Sequence, residues 1–140
     1  MSPAALAWPV NIGAAARLSS VSAKMIRHYE SLGLLPAVGR TDSNYRQYSE
    51  AQVETLRFIK RSRELGFSMA EITELVGLWQ NRRRTSASVK RIASKHAQEL
   101  GQRITAMQAM QRTLDQLIQC CQGDERPDCP ILDDLAGLRA

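Results

Sequence analysis

Apolar residues recur at helical spacing along most of the chain, broken by a few residues suited to caps and turns. Ile12, Ala15, Ala16 and Leu18 form a first short stripe behind Asn11, a residue type that caps helix N-termini, and Ser19 and Ser20 close it. Met25, Ile26 and Tyr29 form a second stripe behind Ser22, running to Leu32, with Gly33 and then Pro36 as stops. Ser49 with Gln52, and Ser68 with Glu71, carry the spacing of two capping boxes. The first opens a helix striped by Val53, Leu56, Ile59 and Leu65 and ended by Gly66; the second opens one striped by Ile72, Leu75, Val76 and Trp79. Phe58, Phe67 and Trp79 are expected in the core. From Ser86 to about Cys121 no proline intervenes, and apolar positions from Val89 through Ile92, His96, Leu100, Ile104, Met107, Met110 or Gln111, Leu114 and Leu117 recur every three or four residues. A helix of that length extends on the order of 54 Å, more than a small domain can cover, so its stripe needs a second chain.

The segment between the second and third helices is different. Asp42-Ser43-Asn44 has turn chemistry, and Arg40 and Arg46 flank it, interleaved with Tyr45 and Tyr48. This predicts a small basic hairpin, or wing, able to grip phosphates. The second helix would present Lys24, Arg27 and His28 to a major groove. Charge supports that division. Residues 1–91 hold 14 Lys and Arg against 7 Asp and Glu, whereas residues 92–140 hold 5 against 7. A basic front half followed by a mildly acidic tail fits a polyanion-binding module joined to something else. The fold class is therefore mainly α: a winged helix-turn-helix over residues 11–80, a long dimerisation helix over 86–121, and a loop with a short helix over 121–140.

Chemistry concentrates at the end of the chain. No Gly-rich phosphate loop or nucleophile motif marks an enzyme. No apolar run approaches the ~20 residues of a membrane span, and the first ten residues lack a basic leader, so a cytoplasmic protein without a membrane partner is expected. In a reducing compartment, three cysteines within the last 21 residues point to metal or redox chemistry rather than a structural disulfide. Cys120 and Cys121 project ~100° apart on a helix and cannot both face one site. Gly123 can end the long helix, Pro127 stiffens the loop, and Pro130 can open a short helix through Ile131, Leu132, Leu135 and Leu138.

Asn11-Ile12-Gly13, Ser22 to Glu30 with Gly33-Leu34, Arg40 to Tyr48, and Arg63 to Ser68 together resemble the MerR family of winged-helix regulators. Ser86 to Lys90 and Cys121 to Leu132 are similar to its copper-efflux branch. The resemblance implies DNA contacts by Lys24, Arg27 and Tyr29 on the recognition helix, by Arg40, Tyr45 and Arg46 on the wing, and by Arg63. It implies an antiparallel coiled-coil homodimer on promoter double-stranded DNA, acting on RNA polymerase by distorting an over-long spacer. Family spacing selects Cys121 with Cys129 as the metal ligands. Two thiolates without a nearby histidine suit Cu(I), Ag(I) or Au(I), since zinc normally takes four ligands. Divalent sensors of the family tend to carry a cysteine where Ser86 stands, and Lys90 or the helix after Cys129 would offset the charge of the bound site. The resemblance also shows two departures: Asn44 where glycine is common, and the extension over residues 1–10, expected to be disordered or an artefact of a start codon at Val10. Rival readings are a regulator sensing a divalent metal, an oxidant or an organic ligand, and a metallochaperone or thiol oxidoreductase, against which the absence of a Cys-x-x-Cys motif weighs.

Overall fold

The computed structural model describes residues 7–35, 39–125 and 127–138. Pro36, expected to follow the second helix, lies outside them. The described chain forms two compact units, residues 1–92 and 93–140.

In the first unit each helix begins on a side chain that satisfies one of its free N–H groups. Asn11 caps α1 (Ile12–Ser19) and Ser22 caps α2 (Ala23–Ser31). Both capping boxes form, Ser49 with Gln52 on α3 (Glu50–Glu64) and Ser68 with Glu71 on α4 (Met69–Gln80). Helix ends are as local. Gly33 and Gly66 take φ of 78° and 85°, so that Leu34 N–H reaches Tyr29 O and Phe67 N–H reaches Ser62 O past the last turn. Between α2 and α3 run two short antiparallel strands, β1 (Gly39–Arg40) and β2 (Arg46–Gln47), with Arg40 opposite Arg46.

The core of this unit is the buried set Ile26, Tyr29, Tyr48, Leu56, Ile59 and Ile72, with Phe58 and Phe67 partly buried against it. Two expected members depart. Leu65 is 49% exposed, because it is already the C-cap of α3 and its side chain leaves the stripe as the chain turns through Gly66. Trp79 is 38% exposed on the last turn of α4, held by its face stacked on Phe58 at 4.7 Å. The extension also differs from expectation at its end. Trp8 and Val10 pack on the core, and Val10 exchanges both backbone hydrogen bonds with Tyr48 at 2.9 and 2.7 Å. Met1–Leu6 lie outside the described residues.

The wing turn rests on one residue in the left-handed region. Asn44 has φ of 66°, its N–H donates to Thr41 O, and the Thr41 hydroxyl accepts from Tyr45 N–H. A β-branched side chain is crowded there by the next carbonyl, so Asn44→Val should cost about 1–2 kcal/mol and Asn44→Gly should be nearly neutral. Thermal unfolding of the two variants checks this.

Helix α5 (Ser86–Cys120) is a continuous run of 35 residues. Along its second half Ile104, Met107, Met110, Leu114 and Ile118 are all at least half exposed, while Leu117 is buried. A six-residue helix, α6 (Pro130–Leu135), ends at Gly137 with φ of 75°. Leu138 thus falls beyond the helix expected to contain it, its N–H closing the turn onto Asp133 O. Among the described residues no helix is long and apolar enough to cross a membrane.

Candidate nucleic-acid interface and metal centre

The pair α1 and α2 is joined by a turn built from hydroxyls and one left-handed residue. Ser19 Oγ donates to Ala15 O at 2.7 Å and accepts from Val21 N–H, while Ser20 takes φ of 60°. Arg57 of α3 donates its Nε–H to Leu18 O at 3.0 Å, placing a cation on the last carbonyls of α1. With Ile26 and Tyr29 buried, Lys24, Arg27 and His28 remain on the opposite, exposed side of α2. Tyr29, expected as a DNA contact, is only 3% exposed. Its hydroxyl accepts from Arg63 Nη1 at 2.9 Å, and both residues line a shallow groove with Ser22, Met25 and Lys60. Tyr29 thus anchors Arg63 beside α2 and reaches the surface only through its rim.

The wing carries Arg40 and Tyr45 outward, Tyr45 at 71% exposure. Arg46 is held differently: its Nε–H donates to Glu30 Oε2 of α2 at 2.9 Å. The same carboxylate oxygen accepts from the hydroxyl of Tyr48 at 3.2 Å. Glu30 had no role in the sequence reading, although it is the one acid on a helix of exposed bases. Burial first, and then the Glu30 carboxylate, push the Tyr48 hydroxyl from 10.0 up to about 12. Between those values the unfolded chain gives up a proton that the folded chain keeps, so stability is full below pH 10.0 and falls as pH rises toward 12. Tyr48→Phe should flatten that alkaline decline, read by denaturant titration across the same range.

The three cysteines are free thiols in two environments: Cys120 is exposed, Cys121 and Cys129 half-buried. Cys120 is the last residue of α5, and Cys121 N–H still bonds back to Leu117 O and Ile118 O. Gly123 then turns the chain at φ of 65°. Cys129 is the N-cap of α6, with Pro130 at its first position; the thiol makes no capping bond, which leaves the sulfur available as a ligand. The donor set of this segment, two half-sheltered sulfurs and no histidine, fits a soft ion of low coordination number. Ser86 and Lys90 share a recess in the first unit with Arg82, Arg84 and Val89. Arg84 there donates to Trp79 O and Asn81 O, capping the end of α4.

The family model described as MerR HTH family regulatory protein matches residues 10–77, and the one described as MerR, DNA binding matches residues 53–117. The chain is 52% identical to an uncharacterized HTH-type transcriptional regulator of Pseudomonas aeruginosa, over 91% of this chain and 96% of that one. It is 50% identical to heavy metal-dependent transcription regulator 2 of Rhizobium meliloti (91% and 86%) and 35% identical to the regulator CueR of Escherichia coli (91% and 95%). Among solved structures, the transcription regulator PbrR691 from Ralstonia metallidurans in complex with lead(II) superposes with a TM-score of 0.80 at 28% identity, covering 90% of this chain and 98% of that one.

Proposed function

This chain belongs to the MerR family of DNA-binding transcriptional regulators, and we propose that it is a homodimeric activator of copper export and detoxification genes, switched on when Cu(I), or Ag(I) or Au(I), binds Cys121 and Cys129. The observation that carries this reading is the contrast among the thiols, in which Cys121 and Cys129 are sheltered at the two ends of one loop and Cys120 is left in solvent. The heavy-metal regulator and CueR among its relatives support a metal as the signal. Ser86 at the start of α5 supports a monovalent ion, since the third thiolate expected of divalent sensors is missing there.

In this reading Lys24, Arg27, Arg40, Tyr45, Arg46 and Arg63 contact promoter DNA, with Tyr29 setting Arg63. Lys90 offsets the net negative charge of two thiolates around one monovalent ion. The bound ion cross-links the ends of the loop, and it acts on transcription only through its preference for one conformer of the dimer. The lead(II) complex of PbrR691 favours a second reading, a divalent signal. Transcription from the protein's own promoter by RNA polymerase, titrated with Cu(I), Ag(I), Au(I), Zn(II), Pb(II) and an oxidant, separates them. Activation by the three monovalent ions alone is expected; a Pb(II) or Zn(II) response of equal size overturns the monovalent assignment.

A further inference from the structure

Glu30 is an acid placed where a polyanion binder loses affinity by having one. It sits on α2 with the exposed Lys24, Arg27 and His28, and its side chain is 21% exposed. Its carboxylate closes two links at once, to Arg46 of β2 and to the Tyr48 hydroxyl. The wing needs such a link. Each strand is two residues long, too short to fix its own orientation, and its register sets Arg40 directly opposite Arg46. Like charges facing each other across an antiparallel pair destabilise it. Glu30 supplies the counter-charge from outside the hairpin, while the Val10–Tyr48 bridge ties the base of the wing to the start of α1.

We propose that Glu30 is a positioning residue for sequence recognition, holding the Arg46 guanidinium and the wing at a fixed offset from α2, so that wing and helix meet a duplex in one register. The proposal rests on the reading of α2 and the wing as the DNA surface. Glu30 engages Arg46 through Nε, and a guanidinium has four further N–H donors for a phosphate. The carboxylate therefore lowers general attraction to DNA while raising discrimination, because phosphate contacts set register and base contacts made in register give specificity.

The test uses the full-length dimer, the duplex that the wild-type protein enriches from a random-sequence library, and the same duplex shuffled. Glu30→Gln should weaken binding to the enriched duplex on the order of tenfold, the scale of a hydrogen bond to a charged group. Binding to the shuffled duplex should hold or tighten, since one negative charge is gone. In an Arg46→Gln background, Glu30→Gln should add no further loss. An equal loss on both duplexes, or the full loss persisting without Arg46, overturns the proposal. Arg46→Lys serves if Glu30→Gln does not fold: it keeps the charge but loses the fork, so binding to the enriched duplex should fall by more than binding to the shuffled one, and an equal fall on both overturns the proposal. An Arg46→Gln variant with wild-type affinity and salt dependence would remove the wing from the DNA surface, and the proposal with it.

Discussion

Replacing Cys121 and Cys129 together by serine is expected to abolish metal-driven transcription while leaving promoter binding within about twofold of wild type, the scatter for a substitution that touches none of the binding groups. The cationic side chains assigned to DNA all belong to residues 1–92, and both thiols belong to residues 93–140. The size of the loss follows from ligand chemistry. A serine hydroxyl is hard and stays protonated, so it cannot replace a thiolate on a soft ion. In the two-thiolate reading, each single variant should lose metal affinity by several orders of magnitude. Inverting an equilibrium from about 1:99 to 99:1 requires about 10⁴-fold preference for one conformer, and a one-thiolate site has no means of joining the two ends of the loop to provide it. Cys120→Ser is the internal control: its thiol is exposed, and induction should survive. Induction retained in the double variant would end the two-thiolate reading, and loss in Cys120→Ser alone would move the site by one residue.

What could be read in the sequence was whatever is decided within one turn of chain. Asn11, Ser22, Ser49 and Ser68 cap the helices they announce because a cap needs only the N–H three residues on. Asn44 takes the positive φ its residue type permits, and Gly33 and Gly66 end their helices for the same local reason. The stripe Val53, Leu56, Ile59 is buried as its period requires. Errors arose where a stripe was followed past a helix end, as at Leu65 and Leu138, since periodicity carries no information about the turn that breaks it.

The link from Glu30 to Arg46 and Tyr48 spans 16 and 18 residues, and the one from Arg57 to Leu18 spans 39. No spacing rule reaches so far. Only the oddity of an acid among bases hinted at the first. Tyr29 is the complementary case: its place on α2 was legible, but the side of the helix that the core would claim for its ring was not. Its ring went to the core and only its hydroxyl serves the surface, through Arg63. The thiol pair was legible as a composition, whereas the shelter that separates Cys121 from Cys120 comes from where α5 ends.

The largest effect on DNA binding should come from a site far from any DNA contact in sequence, the apolar stripe of α5. In the single chain Ile104 is 56% exposed, Met107 65%, Met110 64%, Leu114 50% and Ile118 58%. That much contiguous apolar surface on a helix of roughly 52 Å calls for a partner of equal length, and a second copy of the same helix is the reading proposed for it. Each such side chain contributes about 1.5–3 kcal/mol when fully buried. Met107→Glu combined with Leu114→Glu removes two of them per copy and would bury four carboxylates in the seam, so the dimer should dissociate at micromolar concentration in sedimentation. A single winged unit then has to bind one half-site alone. Loss of the linked second contact forfeits an avidity gain of about 10²–10⁴, and promoter affinity should fall by a factor in that range. Ala109→Glu adds a charge on the opposite side of α5 and should leave both the dimer and its affinity intact. The same two substitutions should silence transcription with or without metal, a phenotype distinct from the Cys121 and Cys129 variants, which bind the promoter and do not respond. A Met107→Glu, Leu114→Glu protein that remains dimeric would place the dimer seam on another face of α5, whereas one that is monomeric yet binds the promoter normally would sever the link between dimerisation and recognition.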